Sequence, residues 1–130
     1  MKENLSQLLE SIYGKTVQIK SFETIGGGCI NETQALKLSN GERVFLKYNP
    51  SAPKNFFTTE ADGLRLLGKS KNGPNVPSPL GVSTESNPQF LLLEYIASSA
   101  PQDGFASRFG QALAEMHRET QEQYGLDYDN

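Results

Sequence analysis

The chain has 130 residues, 36% of them hydrophobic and 21% charged, enough for one compact domain with a real core and too few for two ordinary ones. A net charge of −3 and a pI near 5.2 argue against a nucleic-acid footprint. No long apolar run and no basic run supports a membrane partner, and a single Cys with a single His makes neither a disulfide framework nor a zinc set.

The amino terminus, MKENLSQLLE, carries charges where a secretory signal needs apolar residues, so a cytoplasmic location is expected. Leu5, Leu8, Leu9 and Ile12 fall at helical spacing, with Asn4 and Gln7 as a start signal and Gly14 as a stop. Three strands are expected next, at Val17–Glu23, Ile30–Leu38 and Arg43–Tyr48. The triplet Gly26-Gly27-Gly28 joins the first two, and Asn40-Gly41 between β-like runs signals a hairpin joining the second and third. Residues 49–53 break the chain. A helix then spans about 55–67, with Phe56, Gly63, Leu64 and Leu67 on one face.

Residues 73–79, with Pro74, Pro77 and Pro79, read as a rigid loop. Leu80–Ser83 is a short strand, turned back at Ser86-Asn87-Pro88. The run Phe90–Ile96 is almost wholly apolar and is expected to be a central strand covered on both faces. Small, turn-forming residues at 97–104 form a linker. A last helix is expected over Phe105–Gln121, with Phe105, Phe109, Ala112, Leu113 and Met116 on an apolar face that has no obvious partner. The expected class is α+β, an antiparallel sheet of five strands carrying one crossing helix, followed by the start of something else.

One residue of the middle helix does not fit its face. Glu60 lies four residues after Phe56 and four before Leu64, and an ionised carboxylate there needs a cation. Lys47 alternates onto the same side of its strand as Phe45 and is the natural partner. Taken singly, the two also read as an exposed lysine and a solvated boundary glutamate; the glycine triplet gives the pairing its weight. Glycines in a hairpin loop let backbone N–H groups approach phosphate oxygens, while a lysine anchored by a helix glutamate contacts the α- and β-phosphates. The loop reads Gly26-Gly27-Gly28-Cys29-Ile30-Asn31, so Asn31 stands where a G-x-G-x-x-G motif has its last glycine, and the motif alone is weak.

The segments GGGCINET, VFLKYN, FFTTEADGLRLL, VPSPLGVS, FLLLEYI, FGQALAEMHRET and YGLDYDN together resemble the amino-terminal half of the fructosamine kinase (ketosamine 3-kinase) family, within the protein-kinase-like aminoglycoside- and choline-kinase group. The resemblance implies a nucleotide-binding lobe over residues 1–96, a hinge at 97–104, and the first helix of a carboxy-terminal lobe within 105–130. It implies ATP as cofactor. Gly26, Gly27, Gly28 and Asn31 would lie over the phosphates, Lys47 and Glu60 would form the phosphate-binding pair, and Glu94, Tyr95 and Ile96 the adenine-binding hinge. A ketosamine or other sugar-amine would be the substrate of the full enzyme, which would phosphorylate a sugar hydroxyl and so serve repair of glycated amines.

Family members continue into a lobe with an HGD-type catalytic loop and a metal-binding Asp, and neither pattern occurs here. His117 in LAEMHRE matches a helix histidine of the family and reads as structural. The chain is therefore expected to be a fragment without catalytic or metal-binding residues of its own, with Mg²⁺ held only in the presence of the second lobe. Cys29 reads as a small side chain under the loop or as an accessible thiol. The competing reading is a non-catalytic interaction module, dimerising through the exposed last helix or through Cys29.

Overall fold

The computed structural model describes residues 1–14, 16–26 and 30–126. Its elements run α1 (Lys2–Tyr13), β1 (Ile19–Thr24), β2 (Glu32–Leu38), β3 (Arg43–Asn49), α2 (Phe56–Leu67), β4 (Pro79–Ser83), β5 (Gln89–Glu94) and α3 (Phe105–Met116). The strands form one sheet in the order β1-β2-β3-β5-β4, and every neighbouring pair is antiparallel. The expected α+β class and five-stranded sheet are present.

Side-chain alternation divides the core into two layers. Val44 and Leu46 of β3, with Phe90 and Leu92 of β5, face Leu5 and Leu9 of α1. Leu91 and Leu93, with Phe45, face Phe57 and Ala61 of α2 on the other side. Residues 90–93 are at most 5% exposed, so β5 is covered on both faces as its apolar run predicts. Burying each large side chain of this kind contributes about 1.5–3 kcal/mol.

Local chemistry explains the boundaries. Gly14 adopts a left-handed conformation (φ 61°) and its N–H bonds to Glu10 O, which ends α1 where the glycine predicts. Asn4 is not the cap. The helix begins at Lys2 with Met1 as its N-cap, because Leu5 and Leu9 anchor the helix and Met1 itself joins their layer. The β2–β3 connection closes through Leu38 N–H to Glu42 O at 2.9 Å, with Gly41 at φ 91°. A glycine at positive φ in a short hairpin loop fits the twist of the strands it joins.

Two helices depart from expectation. On α2 the buried stripe is Phe57 and Ala61, each 0% exposed, while Leu67 is 45% exposed; the stripe is rotated by one residue from the Phe56–Leu67 face read in the sequence. Helix α3 stops at Met116, short of Gln121, because residues 117–121 (HRETQ) offer no apolar side chain to pack and an unsupported helix end does not persist. Its face is also less bare than expected. Phe105 and Phe109 are half exposed, but Met116 lies against the segment around Gly73 and shares a hollow with Leu66, Leu67 and Leu126.

Candidate functional site

Lys47 and Glu60 meet because of two periodicities. Odd positions on β3 face α2, which puts Lys47 beside Phe45; on α2, Glu60 flanks buried Ala61 and so sits at the edge of the buried stripe. Lys47 Nζ donates to Glu60 Oε1 at 2.5 Å, with the side chains 22% and 28% exposed. Both charges keep contact with water, so neither carries the large penalty of a dry interior ion. The ammonium is restrained rather than entombed.

The pair opens onto a cleft of about 560 Å³. Its roof is Ile25, Gly26, Ile30 and Asn31, its floor Thr33, Phe45 and Leu93, and its far walls Leu64 and Pro77. One end is therefore cationic and overlain by the β1–β2 connection, and the other is apolar. Thr33 fastens the connection at its root: its N–H-bearing neighbour across the turn, Ile25, donates to Thr33 O at 3.1 Å, and Thr33 Oγ1 donates to Ile25 O at 2.5 Å. Asn49 Nδ2 ties down the other limb, donating to Asn31 Oδ1 at 3.1 Å and Ile30 O at 3.3 Å. A Cβ at Gly26 would meet nothing within 4 Å among the described residues, so the chain's own packing does not demand glycine there. Gly27, Gly28 and Cys29 lie outside the described residues.

Glu94, Tyr95 and Ile96 do not line this cleft. Strand β5 ends at Glu94, so Tyr95 and Ile96 fall beyond it. Glu94 N–H donates to Ser78 O at 2.9 Å, and Glu94 Oε2 accepts from Ser78 N–H at 3.3 Å. The three residues line a neighbouring cleft with Lys71, Asn75 and Val76. The linings of the two clefts are consecutive in the chain at Leu93-Glu94 and at Val76-Pro77. Phe45, Thr33, Leu93 and Pro77 are lining residues that the sequence reading did not single out. For Phe45 the signal was available, since alternation places it on the face of Lys47; Leu93 joins that face only through the pairing of β5 with β3.

Other titratable groups stand apart. Tyr48 Oη donates to Glu32 Oε2 at 2.5 Å, and this hydrogen bond, followed by burial and the charge of Glu32, raises the phenol above its ordinary value of 10.0. His117 is exposed at the end of α3. Among the described residues no three His, Cys, Asp or Glu side chains stand together as a metal set, and no helix is long and apolar enough to cross a membrane.

Comparison with known proteins gives a consistent answer. The sequence model of the fructosamine kinase family matches residues 1–130. The probable ketoamine kinase of Pasteurella multocida (strain Pm70) is 36% identical over 99% of this chain and 45% of its own length. A protein-ribulosamine 3-kinase of Oryza sativa subsp. indica, named as chloroplastic, is 35% identical over 90% of this chain and 34% of its own. Among solved structures, a candidate fructosamine-3-kinase from Haemophilus somnus 129PT superposes with a TM-score of 0.86 at 32% identity, over 99% of this chain and 43% of that one. A second, from Thermobifida fusca YX-ER1, gives 0.74 at 28% identity. The chain thus spans less than half the length of these relatives.

Proposed function

The chain belongs to the fructosamine kinase family, and from that premise we propose that residues 1–96 form the ATP-binding lobe of a kinase acting on ketosamines. The observation that carries the reading is the Lys47–Glu60 bond at 2.5 Å, facing a cleft roofed by Gly26 and Asn31. The restrained ammonium neutralises the α- and β-phosphates, and backbone N–H groups of the glycine turn meet phosphate oxygens. The apolar floor of Phe45 and Leu93 takes the face of the base. Tyr95 and Ile96, with the carbonyl of Glu94, offer backbone groups to its edge, while the Glu94 N–H already serves Ser78.

The full enzyme passes the γ-phosphoryl of ATP to a sugar hydroxyl of a glycated amine, in keeping with the ribulosamine and ketoamine kinases among its relatives. The carboxylate that orients the hydroxyl and the ligands that hold Mg²⁺ are assigned to sequence outside residues 1–130. The described residues bring no three His, Cys, Asp or Glu side chains together that could hold a metal ion. Residues 97–104 act as hinge, and the cytoplasm is the assigned compartment.

Titration calorimetry of ATP into the chain and into Lys47→Met tests this reading. Saturable heat from the first and little from the second is expected. Equal heats would remove Lys47 from the site. Absence of heat from both, together with a stable homodimer, would favour a non-catalytic interaction module.

A further inference from the structure

Arg43, the first residue of β3, is joined to two elements at once. Its Nη2 donates to Glu23 Oε2 of β1 at 2.9 Å, and its Cζ stands 4.0 Å from the centroid of the Tyr95 ring. Strand pairing explains the reach. Val44 lies opposite Glu94, so Arg43 comes level with the first residue beyond β5; Glu23 lies opposite Ala35, and Ala35 opposite Phe45. The intervening Ala35 carries only a methyl group, which leaves room above β2 for the guanidinium. Lys37, directly opposite Arg43, is a like charge and would push it away from that strand. Glu23 and Tyr95 hold it against that repulsion.

The two ends of this bridge flank the cleft. Two residues after Glu23 the chain becomes Ile25 and Gly26 of the roof, and Tyr95 follows the floor residue Leu93 by two. An exposed ion pair by itself contributes little. Here the same planar group donates to a carboxylate and lies over an aromatic face, a combination that an ammonium does not reproduce. We propose that Arg43 is a positioning residue that sets the distance between β1 and the segment after β5, and so shapes the cleft before nucleotide enters. The inference rests on the nucleotide reading of that cleft. Arg43 acts through Glu23 and Tyr95 and is given no contact with the phosphates.

Three variants separate the outcomes: Arg43→Gln, Arg43→Lys, and Glu23→Gln, which releases only the β1 end. Amide hydrogen exchange is read at Ile25 and at residues 95–98, ATP affinity by calorimetry, and stability by urea. For Arg43→Gln, exchange at both segments rises about three- to tenfold and Kd for ATP rises by a similar factor, with the urea midpoint little changed. Arg43→Lys behaves like Arg43→Gln, and Glu23→Gln loosens Ile25 with a smaller change in Kd. Unchanged exchange in Arg43→Gln, faster exchange with wild-type Kd, or full rescue by Arg43→Lys each overturns the proposal. If neither the unaltered chain nor Lys47→Met binds ATP, the nucleotide reading falls and the positioning role with it, while exchange still decides whether the bridge holds the two segments.

Discussion

Lys47 Nζ and Glu60 Oε1 meet at 2.5 Å across the gap between β3 and α2, at the polar end of a cleft whose other end is floored by Phe45 and Leu93. Loss of a charge-assisted hydrogen bond costs about 1.5–3 kcal/mol, or roughly 10- to 100-fold in affinity. Lys47→Met is expected to abolish most ATP binding, and Glu60→Gln to weaken it about tenfold by freeing the ammonium. With both groups about a quarter exposed, stability should fall by no more than about 1 kcal/mol. Calorimetry paired with urea denaturation separates the two effects. A Glu60→Gln chain that binds ATP as well as the unaltered one would show that the carboxylate does not position the lysine.

Phe57 is fully buried and joins α2 to Leu91 and Leu93. Truncation to Ala removes a fully buried aromatic side chain from that layer, and Phe→Ala changes in cores cost about 3–5 kcal/mol. Phe57→Ala is therefore expected to lower the urea midpoint sharply. The neighbouring Phe56→Ala, on the half-buried side, should lower it much less. Equal losses from the two would contradict the observed rotation of the stripe.

Gly81 faces α1. A Cβ built there would come within 2.7 Å of Leu8 Cδ1 and 3.1 Å of Leu8 Cγ. The Cδ atoms can swing aside, but the Cγ lies close to the helix backbone and moves less freely. Gly81→Ala should cost about 1–3 kcal/mol by forcing α1 away from β4. Gly81→Ala combined with Leu8→Ala is expected to recover part of that loss, and an unfolding midpoint lower than both single variants would argue against this contact.

Tyr48 and Tyr13 both hold their phenolic protons more tightly than usual. For Tyr48 the bond to Glu32 is the leading cause; for Tyr13 burial leads and the charge of Glu42 follows. Because the folded values lie above 10.0, the associated stability is complete below pH 10 and is lost as pH climbs through them. Urea midpoints should therefore begin to fall, on account of these groups, only near pH 10, and less steeply in Tyr48→Phe. A Tyr48→Phe curve parallel to that of the unaltered chain would exclude the Glu32 bond as a source.

Much of this arrangement was legible in the residues. Asn40-Gly41 gave away the hairpin, the run at 90–93 the doubly covered strand, and the misfit of Glu60 with the alternation of Lys47 the ion pair. The face of α2 was harder, because Phe56 and Phe57 are adjacent and both aromatic. Periodicity alone cannot choose between two such registers; contact with Leu91 and Leu93 decides. The cleft lining depended on β5 inserting beside β3, and no local signal encodes which distant strands become neighbours. The end of α3 was overextended because helix propensity continues past Met116 while packing does not. Within the segment read as the adenine-binding hinge, the Glu94 N–H donates to Ser78 O, a cross-chain pairing that no local signal encodes.

Strand β3 presents Leu46 to one helix and Lys47 to the other. A slip of one residue would drive the ammonium into the greasy layer under α1 and strand a leucine in the cleft. The strand is thereby locked in place along its length. Any opening or tightening of the cleft falls to α2 or to Ile25, Gly26, Ile30 and Asn31 above it, never to sliding of the sheet beneath.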